Sequence, residues 1–242
     1  MSDQLLQIDK KIKISKKEIL EDYNLINESR QLSLLGRKEV FMGRAKFGVF
    51  GDGKELAQIA MSKVFENGDI RSGYYRDQTF MMAIDQLTSN QFFSQLYSHT
   101  DVKKDPHSAG RQMNCHFATR MLNDSGEWKT LTDIKNSTSD ISCVAGQIPR
   151  LIGLAYASKL YRNNSSLSNE QNFSINGNEV AFGTIGDAGT SEGHFWEAMN
   201  AAGVLQIPLV MSIWDDGYGI SVPSEYHTTR NDLSKVLSGF QR

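Results

Sequence analysis

A short glycine-rich run and three acidic side chains carry most of the chemistry legible in this sequence. The run GDAGTSEG, residues 186–193, offers a cradle for a negatively charged group. Gly186, Gly189 and Gly193 allow close backbone approach, and the helical pattern that follows turns its positive end toward the run. Asp187 stands at the end of one strand-like segment, where open α/β sheets bind ligands. Asp215 and Asp216 leave the end of the next such segment, LVMSIW. If the two strands are parallel neighbours, these carboxylates share one crevice. Magnesium takes one or two protein carboxylates and fills its octahedron with carbonyls, waters and phosphates. The chemistry indicated is diphosphate binding through a divalent ion held by Asp187 and Asp216.

The elements that must position this turn follow from hydrophobic periodicity. A strand is expected at Glu179–Ile185, a helix from about Glu192 to Val204, and after Pro208 a second strand, a unit long enough for parallel pairing. Upstream, QIPRLIGLAYASKLYR at 147–162 reads as a buried helix whose small residues admit close packing, and the polar run 163–178 reads as a surface loop. Apolar residues at helical spacing mark three earlier helices: Ile19, Leu20, Tyr23, Ile26, Leu32 and Leu35, then Leu56, Ile59, Ala60, Val64 and Phe65, then Phe92, Phe93, Leu96 and Tyr97. From Ser98 to Ser142 no period is sustained, and so long an irregular connection points to function. A last helical pattern covers Asp232–Phe240. The expected fold class is α/β, a mainly parallel sheet flanked by helices, with a helical segment at 1–45 and the ligand-binding domain at 46–242.

Composition narrows the function further. A chain of 242 residues with 39% hydrophobic content can bury one sizeable core. The formal net charge of −2, with both signs interspersed, argues against nucleic acid as a partner. Lys10, Lys11, Lys13, Lys16 and Lys17 form the densest basic stretch and read as the solvated approach to a helix. Cys115 and Cys143 have neither CxxC nor zinc-site spacing, which fits a reduced compartment. No window nears the roughly 18 apolar residues of a membrane span, and MSDQLLQIDKK lacks a leader pattern, so a soluble, cytoplasmic protein is expected. A nicotinamide site fits poorly. Gly183, Gly186 and Gly189 give GxxGxxG instead of GxGxxG, and about 20 positions on stand Leu205, Gln206 and Ile207 instead of an acidic ribose anchor.

The segment GDAGTSEGHFWEAMNAAGVLQIPLVMSIWDDGYGIS, residues 186–221, resembles the thiamine-diphosphate motif of the alpha subunits of 2-oxo acid dehydrogenases, which opens on Gly-Asp-Gly and closes on Asn-Asn. Asp187 and Asp216 are 29 positions apart, and Glu197, Asn200, Pro208, Gly217, Tyr218, Ile220 and Ser221 fall at matching places. The resemblance implies magnesium bound by Asp187, Asp216 and the backbone carbonyl of Tyr218, with Gly186, Ala188 and Gly189 along the diphosphate. GYYRDQ resembles the family's Tyr-Arg segment, implying Arg76 on a cofactor phosphate and Tyr75 on the cofactor wall. SAGRQMNCHF, with Gly110, Arg111, Gln112, Met113 and His116, resembles the active-site loop of the branched-chain subgroup, which makes His116 the candidate catalytic residue. SDISCVAGQIP, with Ser142 and Val144, is similar to the segment that meets the aminopyrimidine ring.

Taken whole, the resemblance runs from about Glu18 to Ser221 and implies the thiamine-diphosphate-binding fold, truncated at its C-terminus. It implies a 2-oxo acid substrate, a beta subunit or fused beta half, and the lipoyl domain of a dihydrolipoyl acyltransferase as acyl acceptor. The assembly would be a heterotetramer or a homodimer of fused chains. A non-catalytic or regulatory cofactor-binding homologue is the alternative. Asp215-Asp216 replaces the asparagine pair, and the added negative charge makes cofactor affinity depend steeply on the divalent ion. Trp214 stands where branched-chain enzymes carry an arginine toward the diphosphate, which leaves Arg76 as the main cation. A Gly-Asp-Gly elsewhere, Gly51–Gly53, is expected to be a plain turn, because 28 and 29 positions beyond Asp52 stand Phe80 and Met81.

Overall fold

Capping decides where the first helix begins. The Ser15 hydroxyl accepts from the Glu18 amide at 3.1 Å while the Glu18 carboxylate accepts from the Ser15 amide, and this reciprocal pair opens α1 (Lys16–Phe41). The computed structural model describes residues 14–167, 170–229 and 232–240, so Lys10, Lys11 and Lys13 lie outside the described residues. In chain order there follow α2 (Glu55–Ser62), β1 (Ile70–Ser72), α3 (Gln78–Ala83), α4 (Ser89–Leu96), β2 (Asn136–Ser137) and α5 (Gln147–Asn163). After them come β3 (Ala181–Gly186), α6 (Gly193–Leu205), β4 (Leu209–Trp214), β5 (Tyr218–Gly219), β6 (Val222–Pro223) and α7 (Leu233–Leu237).

Four strands form one parallel sheet in the order β2-β1-β3-β4. The register of β3 and β4 runs from Ala181 opposite Leu209 to Gly186 opposite Trp214, so Asp187 and Asp215 leave neighbouring strands at one level. This is the parallel pairing expected from the strand–turn–helix–strand unit. One face of the sheet carries α1 to α4 over a core in which Phe65 meets Phe80 and Phe182 edge-on at 5.2 and 4.9 Å. The other face carries α5 and α6 over Ile148, Ile185 and Phe195. Leu32 of α1 and Ala45 belong to the first core, so the N-terminal helix packs with the sheet domain. Among the described residues no helix is long and apolar enough to cross a membrane.

Two expectations change in detail. Helix α5 is not buried all round: Ile148, Leu151, Ala155 and Ser158 face inward, while Gly153, Tyr156 and Leu160 are exposed because the helix covers only one side of the sheet. Its close approach comes from the strand, where a β-carbon on Gly183 would run into Leu151. Strand β3 begins two residues later than expected, because Glu179 instead caps the preceding turn, accepting from the Ser174 hydroxyl at 2.6 Å and the Ile175 amide at 2.5 Å. Strands β1 and β2 are too short to show a period in the sequence.

The irregular region 98–142 is held by buried acceptors in place of regular ladders. Asp105 accepts from the amides of His107, Ser108 and Gly110 and from the Ser108 hydroxyl. At its end Asp140 meets Arg71, which is wholly buried. The Arg71 guanidinium donates to Asp77 (2.7 Å), Ser137 (2.8 Å), both oxygens of Asp140 (3.0 Å each) and the Tyr74 carbonyl (3.1 Å). All five donors of the fork are thereby used. Asp77 also accepts from the hydroxyl of Thr184 on β3 and, at 3.2 Å, from Nε1 of Trp214 on β4, so the network ties all four strands of the sheet and the irregular region together.

Candidate cofactor site

A cavity of about 550 Å³ opens at the carboxyl ends of β3 and β4. Its walls are the loop after β1 (Tyr74 to Arg76), the entry to α5 (Cys143 to Ala145), the turn after β3 (Ile185 to Gly189), the β5–β6 hairpin and Lys54. Of the residues expected to hold a cofactor, Tyr75, Arg76, Val144, Gly186, Asp187, Ala188, Gly189, Asp216 and Tyr218 all line it.

The Asp187 carboxyl is buried, and its Oδ2 has no hydrogen-bond partner. Burial holds it above the ordinary carboxylate range; the Ala188 amide opposes that shift, and the charges of Asp215 and Asp216 add to it. A buried carboxylate oxygen without a donor is costly unless a cation or proton completes it. Nearby, Nε2 of His227 is likewise buried without a partner, 3.9 Å from that oxygen. At Gly186 the bare backbone leaves the floor open: a β-carbon there would stand 3.6 Å from the Tyr74 hydroxyl, itself buried and unpartnered. Burial keeps that phenol protonated far above its usual range.

Asp216 differs from Asp187 in every respect. Its side chain is largely open; Oδ1 accepts from the Tyr218 amide at 3.2 Å and Oδ2 from Lys54 Nζ at 2.7 Å. Burial pulls this carboxyl upward, but the hydrogen bond and charge of Lys54 outweigh it, and the group sits below its ordinary value. Asp215 does not line the cavity and accepts from the Gly217 amide at 2.9 Å. Among the described residues no group of three or more His, Cys, Asp or Glu forms a metal cage. A magnesium site of two carboxylates is not such a cage, and the unpartnered Asp187 oxygen beside an exposed carboxylate fits a hard divalent ion.

Of the remaining expected residues, Ser142 is exposed beside the cavity entry without lining it, and His116 stands behind the wall. His116 is 2% exposed; Nδ1 lies 3.1 Å from the Asn114 carbonyl, Nε2 lies 2.8 Å from the Ser142 hydroxyl, and its ring stacks on Tyr75 at 6.2 Å. Burial lowers its pKa and favours the neutral imidazole. His116, the candidate catalytic residue, thus does not line the cavity and packs behind Tyr75. Gly110, Arg111, Gln112 and Met113 do not line the cavity either. Trp214 fills its place by donating to Asp77, and Arg76 is not the only cation, since Lys54 lines the same cavity. Lys54, Tyr74, Cys143 and His227 were not singled out as site residues; Tyr74 and Cys143 lie inside the segments GYYRDQ and SDISCVAGQIP, and Lys54 directly follows the Gly-Asp-Gly at 51–53.

Fold and site first define a class: a parallel α/β protein with a crevice at the carboxyl ends of adjacent strands, lined by both carboxylates and basic side chains. The chain belongs to the dehydrogenase E1 component family, whose profile matches residues 30–241. It is 27% identical over 182 residues to 2-oxoisovalerate dehydrogenase subunit alpha, mitochondrial, of Caenorhabditis elegans, covering 75% of this chain and 35% of that protein. The corresponding alpha subunit of Bacillus subtilis (strain 168) is 24% identical over 200 residues, 82% of this chain and 51% of that protein. The Mus musculus protein is 25% identical over 214 residues, 87% and 40% respectively. The chain thus spans about a third to a half of the length of these curated relatives.

Proposed function

We propose that this chain is the alpha half of a thiamine-diphosphate-dependent 2-oxo acid dehydrogenase that decarboxylates branched-chain 2-oxo acids and passes the acyl group to lipoamide. The observation that carries the reading is Asp187: a buried carboxylate oxygen with no partner, level with Asp215-Asp216 across the ends of two parallel strands. Membership of the E1 family and the names of the 2-oxoisovalerate dehydrogenase relatives support it. Thiamine diphosphate, when bound, supplies the electron sink for decarboxylation.

The chain's residues bind and orient. Asp187, Asp216 and the Tyr218 carbonyl hold magnesium, Gly186, Ala188 and Gly189 bring backbone to the diphosphate, and Arg76 meets a phosphate. Tyr75 walls the cofactor, Ser142 and Val144 meet the aminopyrimidine, and His116 steadies Tyr75 and Ser142 from behind. Tyr218, Ile220, Val222 and Tyr226 expose apolar surface around the hairpin at the cavity mouth, which favours a site completed by a beta subunit or a fused beta half. The assembly is then a heterotetramer or a homodimer of fused chains, served by the lipoyl domain of an acyltransferase. The free thiols Cys115 and Cys143 favour a reduced compartment such as the cytoplasm.

A second reading, a cofactor-binding homologue without turnover, draws on Lys54, which already holds the Asp216 carboxylate. The complete protein, loaded with thiamine diphosphate and magnesium and given a branched 2-oxo acid with an artificial electron acceptor, separates the two. Reduction of the acceptor is expected; bound cofactor without any reduction sinks the enzyme and leaves the binding homologue.

A further inference from the structure

The Gly-Asp-Gly turn at residues 51–53 lies apart from the proposed metal ligands, yet it is built against the cavity. A β-carbon on Gly51 would run into the carbonyl oxygen of Arg76, so glycine alone lets the turn lie on that backbone. The same carbonyl accepts from Gln58 Nε2 on α2 at 2.8 Å. Arg37 holds Asp52 at 2.6 Å, and the Gly53 amide donates at 3.0 Å to Glu55, a buried carboxylate gripped by Arg30 at 2.5 and 2.7 Å. So pinned, the turn delivers the next residue, Lys54, into the cavity beside Arg76. The Lys54 side chain is only 11% exposed and ends 2.7 Å from Asp216 Oδ2.

Charge decides what Lys54 does there. Asp187 and Asp216 on the cavity wall are balanced by Lys54 and Arg76. Without Lys54 the lining would be net negative and would repel a diphosphate. A divalent ion held between Asp187 and Asp216 would compete with the Lys54 ammonium for Asp216. The flexible stem and three rotatable donors of lysine then reach an anionic oxygen in the same cavity. We infer that Lys54 is a diphosphate-binding residue, parked on Asp216 in the free protein and handed to the anion when the metal takes that carboxylate. This rests on the cofactor reading above and adds to it a cation, presented by a turn that cannot itself bind metal.

Calorimetric titration of inorganic pyrophosphate with magnesium, into the unmodified chain and into Lys54→Gln and Lys54→Arg, tests the inference through its sign. Lys54→Gln is expected to weaken pyrophosphate binding roughly ten- to a hundred-fold, and Lys54→Arg to keep most of it. If Lys54 only competes with the metal for Asp216, Lys54→Gln binds pyrophosphate as tightly or more tightly, and the inference falls while the cofactor reading stands. Failure of the unmodified chain to bind pyrophosphate with magnesium overturns both. Amine acetylation of the unmodified protein, read by mass spectrometry, gives the same answer without substitution. Magnesium alone should raise labelling of Lys54 and added pyrophosphate should suppress it, whereas labelling indifferent to pyrophosphate contradicts the inference.

Discussion

The two sides of the cavity are built on different terms. On the inner side β3 is buried almost throughout, and the Arg71–Asp77–Asp140 network behind it leaves no donor of the guanidinium unused. On the outer side β4 is half exposed and, among the described residues, forms the edge of the sheet; beyond it Asp187 and His227 hold buried polar atoms without partners, and Ile220 is fully exposed. The guanidinium network of the inner side satisfies its own donors on folding. The outer side keeps hydrogen-bonding capacity and apolar surface that only a ligand or a partner chain can meet, and such unmet capacity is what marks a site.

Removing the keystone of the inner side should have the largest effect. Arg71→Met leaves Asp77 and Asp140 buried without their counter-ion and should cost about 3–5 kcal/mol in a denaturant melt, or prevent folding. Arg76→Met, at the half-buried rim, should cost under about 1 kcal/mol by the same measurement. Equal losses would break the comparison.

Next comes acid sensitivity of the inner side. Burial lowers the pKa of His116 and His107 below the ordinary 6.5, so the unfolded chain binds these protons first, and stability present above pH 6.5 is lost as pH falls toward the lowered values. His116→Gln should flatten a plot of unfolding free energy against pH between 6.5 and the lowered value by at most about 1.4 kcal/mol per pH unit, the slope of one proton. An unchanged slope would mean that His116 titrates freely.

A change on the outer side should act in the opposite sense. The folded protein keeps the Asp187 proton at a pH where the unfolded chain has lost it, so its ionisation opposes folding as pH rises above 3.8. In metal-free buffer near neutral pH, Asp187→Asn should therefore raise stability by on the order of 1 kcal/mol, about 2–4 °C in a thermal melt. A loss instead would show Asp187 to be structural. The smallest effect belongs to Ile220, which holds a left-handed φ of +59°. Ile220→Gly should leave stability within a few tenths of a kcal/mol or raise it, because relief of strain offsets the entropy of glycine.

How much of this was legible in the sequence follows the same division. The β3–turn–α6–β4 unit could be read to within a residue or two, because an apolar run, a glycine turn and a helical period follow one another without interruption. The pair Asp187 and Asp216 came with it, since their places at strand ends are local facts. Arg71 could not be read: its partners Ser137 and Asp140 lie 66 and 69 positions away, and three-residue β1 shows no alternation. Lys54 meets Asp216 across 162 positions, so the turn at 51–53 was recognisable as a turn but not as a neighbour of Arg76. His116 carried a motif, yet whether a loop histidine faces a cavity or packs behind a tyrosine is settled by tertiary contacts.

The central claim is that the outer side is a diphosphate–metal site centred on Asp187. Its most direct test is calorimetric titration of thiamine diphosphate into the protein with and without magnesium, in the unmodified chain and in Asp187→Asn. The account predicts binding that requires magnesium and is weakened by at least about a hundred-fold in a folded Asp187→Asn protein. Binding of equal strength without the metal, or in Asp187→Asn, would contradict it.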